Sequence, residues 1–338
     1  MPRNRIIPIF VSHAGCPHQC VFCNQKRIAG QAAPLCARTV TDAVENAGEN
    51  GRGAELAFYG GSFTAIPAET QEVLLGAARP YLRSGYLSAI RLSTRPDAVS
   101  EETVLRLRKY GVKTVELGSQ SMDDAVLERS GRGHTAADTE KAVRLLRNGG
   151  ISVILQMMTG LPGSTEASDL GTASRIASLQ PDGVRIYPAV VVRDTPLCDL
   201  YEAGQYQPQT MEEAAELCAK LYVLFTAQGI PVLRMGLQPT EALSSGGAVA
   251  GPYHPAFGEL VKSRILYDKA VSLLAETEAK KVTLLVRQDK LSAMVGQHRA
   301  NLRRLGREFP EKRLRIAAGD CEEWEIRLQI EENLDTIT

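Results

Sequence analysis

The chain of 338 residues is 44% apolar and 23% charged, and its 39 basic residues match its 39 acidic ones. That composition supports a hydrophobic core and excludes collagen-like, low-complexity and wholly disordered chains. A formal charge of zero excludes a uniformly basic nucleic-acid binder, so any basic patch is local and offset elsewhere.

The first strand is expected at 6–11 (IIPIFV), followed by strands at 54–61, 89–96, 114–121, 151–160 and 183–191. Most are continuous β-branched runs, the pattern of strands buried on both faces. Helical patterns fall between them. One begins after Ser100, turns Val104, Leu105 and Leu107 inward and stops at Gly111; another ends at Gly149 and Gly150. A third opens with a capping box, Thr210 with Glu213, and ends at Gly229 with Pro231 beyond. A seventh strand is expected at 230–238. Strand and helix alternating about six times predict a parallel sheet with right-handed crossovers. In a barrel of that kind, functional groups collect at the carboxyl ends of the strands.

Around residue 276 the texture changes. The charged stretch AETEAKK leads into KVTLLVRQ and RLRIAAG, two strands around a helix from Leu291 to Phe309, and EWEIRLQI is a last strand. The expected domains are 1–275 and 276–338, the second small, basic and α+β. Residues 280–316 hold eleven Lys or Arg against Asp289, Glu308 and Glu311. Arg299, Arg303 and Arg307 recur at i, i+4 and i+8 as one stripe, opposite Leu291, Met294, Val295, Leu302 and Leu305. MVGQHRANLRRL also resembles the loop–helix entry of a KH module, whose Gly-x-x-Gly loop clamps a nucleic-acid backbone; Arg299 stands at the second glycine. A contact with RNA and a solvated helix face both fit this stripe.

The N-terminal apolar run is interrupted by Pro8 and closed by Ser12 and His13, too short for a secretory signal. No window approaches the apolar length of a membrane span, roughly 18 residues. A cytoplasmic setting is therefore expected, with no membrane partner. There thiols stay reduced, and clustered cysteines point to metal or catalysis. Four of the seven cysteines, Cys36, Cys198, Cys218 and Cys321, are isolated and read as small buried hydrophobes.

The other three, in GCPHQCVFCNQ (15–25), are spaced Cys16-x3-Cys20-x2-Cys23 directly after the first strand. A structural zinc site takes four ligands, and neither His13 nor His18 sits at a zinc-finger spacing. An iron–sulfur cluster held by three thiolates, with one iron left open, is the other reading. A non-enzymatic iron–sulfur or metal-binding protein remains an alternative to an enzyme at this point.

Cys-x3-Cys-x2-Cys with an aromatic, Phe22, before the third cysteine resembles the radical S-adenosylmethionine (radical SAM) superfamily. The resemblance implies a partial (β/α)6 TIM-like barrel with a small C-terminal α+β domain. It also implies a 4Fe–4S cluster on Cys16, Cys20 and Cys23, and S-adenosylmethionine (SAM) on the open iron. Reductive cleavage of SAM to a 5′-deoxyadenosyl radical would need a low-potential electron donor. FYGGSFT supplies a Gly60–Gly61 pair where the family brings bare backbone to the cofactor's ammonium. LSTRPD, ELGSQSMDDAVL with GRGHT, QMMTGLPG and RIYPAVVVRDTPL resemble the radical SAM catalytic subunit of Elongator and its bacterial and archaeal relatives. Oxygen-independent coproporphyrinogen oxidases share this core more distantly.

By position, Ser93, Gln120 and Gln156 fall where relatives contact the cofactor's ribose and methionyl groups. Ser93 stands where relatives usually carry Glu, and Gln156 where the oxidases carry Asp. Arg185 and Tyr187 on the sixth strand are candidates for substrate contact or for relaying a hydrogen atom or proton. Arg132 and His134 suit an anion or the cap of the next helix. The Elongator likeness implies tRNA or another RNA as substrate; the oxidase likeness implies a tetrapyrrole-type metabolite. After residue 276 no Gly-rich loop suited to coenzyme A is found, so acetyl-CoA is not expected as a substrate.

Overall fold

A computed structural model of the chain describes residues 5–11, 16–24, 35–241 and 243–330. Strands β1 (Ile6–Phe10), β2 (Ala54–Tyr59), β3 (Leu87–Thr94), β4 (Val112–Gln120), β5 (Ser152–Thr159) and β6 (Gly183–Pro188) lie in sequence order in one parallel sheet, and β8 (Val232–Met235) adds beside β6. The short β7 (Val191–Val192) pairs antiparallel with β9 (Ala248–Ala250). Helices α1 (Ala37–Ala47), α2 (Ala68–Arg83), α3 (Glu101–Lys109), α4 (Asp124–Arg129), α5 (Ala136–Asn148), α6 (Glu166–Ser178), α7 (Pro196–Glu202) and α8 (Met211–Ala227) connect them. This is the expected partial TIM-like barrel, with the seventh strand present.

Alternation along the strands sorts the side chains. Leu56, Phe58, Ile90, Leu92, Val115, Leu117, Val153, Leu155 and Ile186 are fully buried on one face. The intervening Tyr59, Ser93, Glu116, Gly118, Gln156, Arg185 and Tyr187 line a cavity on the other. The strand expected at 183–191 is cut at Pro188, which has no N–H to continue the ladder. In α3 the Ser100 hydroxyl caps the Thr103 N–H as expected, but Leu105 points to solvent, 63% exposed. The inward stripe is Thr103, Val104 and Leu107, and 100° per residue carries Leu105 away from it.

Contacts divide the chain into two units, one running through Ala214 and again over Leu221–Tyr253, the other comprising Ala215–Lys220 and the chain from His254 on. In the second unit α9 (Phe257–Ala275) supplies Leu266, Tyr267, Ala270 and Leu274 to a core completed by Val282, Leu284, Val286, Met294 and Leu305. Helix α9 thus packs with the small sheet, and the unit starts ahead of residue 276. Strands β10 (Lys281–Val286), β11 (Arg313–Ala318) and β12 (Ile326–Ile330) are ordered β11-β10-β12, with β10 parallel to β11 and antiparallel to β12.

The single helix expected from Leu291 is broken into α10 (Leu291–Val295) and α11 (Ala300–Glu308). Gly296, His298 and Arg299 all have positive φ, +76°, +49° and +62°. The Asn301 amide, buried, reaches the carbonyls of Met294 (3.2 Å) and Ser263 (3.0 Å) and ties the turn down. Arg299 therefore sits in the turn ahead of α11, and only Arg303 and Arg307 lie on the helix. Among the described residues no helix is long and apolar enough to cross a membrane.

Candidate active site

The inward side chains of the sheet line a cavity of about 670 Å³, within the size range of small-molecule sites. Its floor is a buried ionic network. The Glu116 carboxylate accepts from Arg91 Nη1 (3.0 Å), Arg185 Nη2 (3.0 Å) and the Tyr59 hydroxyl (3.2 Å), and Arg185 Nε lies 2.8 Å from its other oxygen. Arg91 also pairs with Glu55. Burial opposes the charge on Arg185, but Tyr187 and Glu116 beside it hold its pKa above the ordinary value. Burial, reinforced by Glu116, pushes the Tyr59 phenol up to about 12. Burial also raises Tyr187, against the opposing pull of Arg185.

Arg185 and Tyr187 face the cavity, because Ile186 between them is buried on the opposite side. The guanidinium of Arg185 is ion-paired with Glu116. Glu116, Tyr59 and Arg91 were not singled out from the sequence, although charged residues set within four apolar strands (Glu55, Arg91, Glu116, Arg185) were a visible signal. A charge in a strand buried on both faces needs a partner on a neighbouring strand.

The strand ends hold the other candidates. Gly60 (φ +96°), Gly61, Ser93, Gln120 and Gln156 all line the cavity. Gln120 ends β4 in a left-handed conformation, φ +63°, after a register shift between Gly118 and Gln120. Its amide oxygen accepts from Gln156 Nε2 at 3.3 Å. A non-glycine residue held there costs on the order of 1–3 kcal/mol, a strain that collects at functional sites. Phe22 is not among the cavity-lining residues; it packs on Val126, Met158, Leu161 and Ala189, beside Tyr187.

Cys16 lines the cavity, Cys20 is buried and Cys23 is half-buried. No disulfide joins any of the seven cysteines. His13 and Gln25 lie outside the described residues. The loop carrying the three thiols rests on the segment 130–134. Val21 N–H donates to the Ser130 carbonyl (3.1 Å) and Arg132 Nη1 to the Cys20 sulfur (3.2 Å). A Cβ on Gly131 would meet the Gln19 carbonyl oxygen at 3.0 Å, and one on Gly133 would fall 2.3 Å from the His18 ring. GRGHT is thus a seat for the cysteine loop, which its sequence did not announce.

Among the described residues no three His, Cys, Asp or Glu side chains converge to chelate one metal ion. In an iron–sulfur cluster each thiolate takes its own iron. Three thiols on one short loop, one at the cavity wall and one beside a buried guanidinium, fit such a group.

His134 is buried, with neither ring nitrogen hydrogen-bonded to a side chain or backbone by geometry. Burial, then Arg132 and Arg95, lower its pKa to about 4. Between about 4 and the usual 6.5 the unfolded chain holds a proton that the folded chain does not, so stability falls as pH drops through that window. The expected loss is about 1.4 kcal/mol per pH unit at most, absent in His134→Gln, as read by urea unfolding at pH 7 and pH 5.

In the second unit Arg299, Arg303 and Arg307 are exposed, and Arg303 Nη2 donates to the His298 carbonyl at 2.8 Å. The left-handed turn at His298 and Arg299 puts Arg299 in the place of the second glycine of the Gly-x-x-Gly pattern.

Comparison with known proteins follows the same lines. The radical SAM superfamily profile matches residues 10–175, and the radical SAM C-terminal domain profile matches residues 181–266. A tRNA uridine(34) acetyltransferase of Methanocaldococcus infernus is 28% identical over 255 residues, covering 63% of this chain and 48% of that enzyme. An uncharacterised protein of Methanocaldococcus jannaschii is 30% identical over 222 residues, covering 61% of this chain and 67% of that protein. The chain therefore spans less than half the length of the tRNA-modifying relative. The structure of the archaeal Methanocaldococcus infernus Elp3, lacking its N-terminus, superposes with a TM-score of 0.62 at 24% identity, over 79% of this chain and 63% of that one, which shows a shared fold.

Proposed function

This chain belongs to the radical SAM superfamily of enzymes, and on that premise we propose that Cys16, Cys20 and Cys23 hold a 4Fe–4S cluster and that the half-barrel cavity binds S-adenosylmethionine. The observation that carries this reading is that Cys16 and Arg132, the partner of Cys20, share one cavity wall with Gly60, Gly61, Ser93, Gln120 and Gln156. Bound there, the two groups would supply one-electron cleavage of the sulfonium to a 5′-deoxyadenosyl radical, with the electron coming from an external low-potential donor.

The chain's own residues have distinct parts. Bare backbone at Gly60 and Gly61 lets an ammonium approach carbonyl oxygens. Ser93 and the Gln120–Gln156 pair offer neutral donors and acceptors to ribose hydroxyls and a methionyl carboxylate. Phe22 anchors the end of the cysteine loop in the apolar cluster below it. Arg185 and Tyr187 face the substrate from β6. With its pKa raised, Tyr187 stays protonated at neutral pH and has a hydrogen to give. RNA is the substrate class we assign. It rests on the likeness to tRNA-modifying relatives and on the exposed Arg299, Arg303 and Arg307. The acetyl transfer named for those relatives is not carried over.

Anaerobic reconstitution tests the first part, with about four irons per chain and reductant-dependent 5′-deoxyadenosine expected. For the RNA arm, changing Arg299, Arg303 and Arg307 to Glu is expected to reduce tRNA retention at low salt. The slope of log K against log salt should become shallower by about 2–3. Unchanged retention, together with identical tRNA nucleosides in cells with and without the gene, would point to a small metabolite instead.

A further inference from the structure

The charged side chains lining the cavity are Arg95, Arg132, Arg185 and Arg234 against the carboxylate of Glu116. Arg95 is paired with Asp97 at 3.0 Å and Arg185 with Glu116, and Arg132 stands on the wall assigned to the cofactor. Arg234 is left. Among the described residues no carboxylate pairs with it, and its guanidinium donates to the amide oxygen of Gln238. The ladder sets Arg234 on β8 directly beside Arg185 on β6, and both side chains line the cavity. Two cations on neighbouring strands repel, and the Glu116 carboxylate is already shared by Arg185 and Arg91. Strand β8 is also the last of the sheet. Arg234 therefore stands half-buried at the open edge of the half-barrel, within electrostatic reach of Tyr187.

We propose that Arg234, with Gln238, holds a phosphate of the RNA substrate at the open edge of the cavity, beside Tyr187. The inference rests on the RNA reading above and says where that RNA enters. The donor set suits a phosphodiester, because a guanidinium presents parallel N–H groups that match two phosphate oxygens. Gln238 accepts from Arg234 through its oxygen, so its Nε2 remains a donor and the pair offers an anion N–H groups alone. A phosphate held on β8 leaves the attached nucleoside to reach inward past Tyr187 on β6. Leu237, Thr240 and Leu243 follow β8, line the same cavity and supply apolar and hydroxyl surface for a sugar. This contact is separate from Arg299, Arg303 and Arg307, which belong to the second unit.

The test is equilibrium binding of a labelled single-stranded RNA, an oligouridylate, to the anaerobically reconstituted chain with SAM present. Binding is titrated over a range of salt concentrations, with the melting temperature measured alongside. Arg234→Gln is expected to melt like the wild type and to bind this RNA about tenfold more weakly at low salt. Its slope of log K against log salt should be shallower by about 0.7, the loss of one phosphate contact to a single strand. Arg234→Lys keeps the charge but loses the fork, so its slope should match wild type while its affinity falls between the two. Arg83→Gln, exposed at the end of α2, is the control and should change neither. Wild-type affinity and slope in Arg234→Gln overturn the inference and leave the RNA reading standing, and so does an equal loss in Arg83→Gln. If Arg234→Gln does not fold, Arg234→Lys decides: weakened binding supports the inference, and wild-type binding overturns it. A wild-type chain that retains no RNA at low salt would instead sink the RNA reading itself.

Discussion

Cys20→Ala is expected to hold no stable 4Fe–4S cluster after anaerobic reconstitution and to form no 5′-deoxyadenosine above the uncatalysed background. Cys20 is the one of the three cysteines that is buried, and its sulfur is the acceptor for Arg132. Removing it takes away one of three thiolates and leaves the guanidinium facing a methyl group. On the proposed reading, the two remaining thiols offer too few ligands to keep a cluster that already has an open iron. The fold should survive, since replacing one small side chain ordinarily costs on the order of 1 kcal/mol. Cys198→Ala and Cys218→Ala are the controls. Neither thiol is among the cavity-lining residues, and burial together with Glu202 raises the pKa of Cys198, as suits an inert thiol. Iron content and 5′-deoxyadenosine should match wild type in both controls. Cleavage surviving in Cys20→Ala would remove the cluster assignment.

The second large effect belongs to Glu116. This carboxylate lies between Arg91 and Arg185 and accepts from Tyr59 as well, with only 4% of its surface exposed. Glu116→Gln keeps the shape and deletes the charge. Arg91 still has Glu55, but among the described residues Arg185 is left buried with no carboxylate. Removing one partner of a buried pair costs about 3–5 kcal/mol, chiefly because the other charge stays behind. Urea unfolding should show a loss of about that size in Glu116→Gln. Glu116→Gln combined with Arg185→Met should recover part of it, since no orphan cation then remains. If the double variant is no more stable than Glu116→Gln alone, the two residues are not coupled in this way. Because the network is the cavity floor, these variants also test whether substrate-facing geometry at Tyr187 depends on it.

Much of this architecture was legible without coordinates, for a physical reason. Parallel strands buried on both faces write themselves as unbroken apolar runs, and the helices between them begin and end at caps and glycines. The Thr210–Glu213 capping box and the Ser100 cap are local chemistry and form as expected. Where a side chain's direction depended on packing, local pattern was not enough. Leu105 shows this, since an apolar residue next to an inward stripe can turn to solvent. The break at Gly296–Arg299 is another case. Arg299 takes a positive φ that its own preferences oppose, and a distant residue in sequence, Ser263, helps Asn301 hold the turn.

The candidate site divides in the same way. The sequence by itself determined the three thiols, the paired glycines and the family, because those features are contiguous and their chemistry depends on spacing within a few residues. Only the tertiary structure decided that Glu116 is the hub of the cavity floor, and that Arg132 reaches the Cys20 sulfur across 112 positions of chain. Ionic partners on separate strands carry no local signature. Their energy comes from burial and mutual distance, and those quantities exist only once the sheet has curled around the cavity.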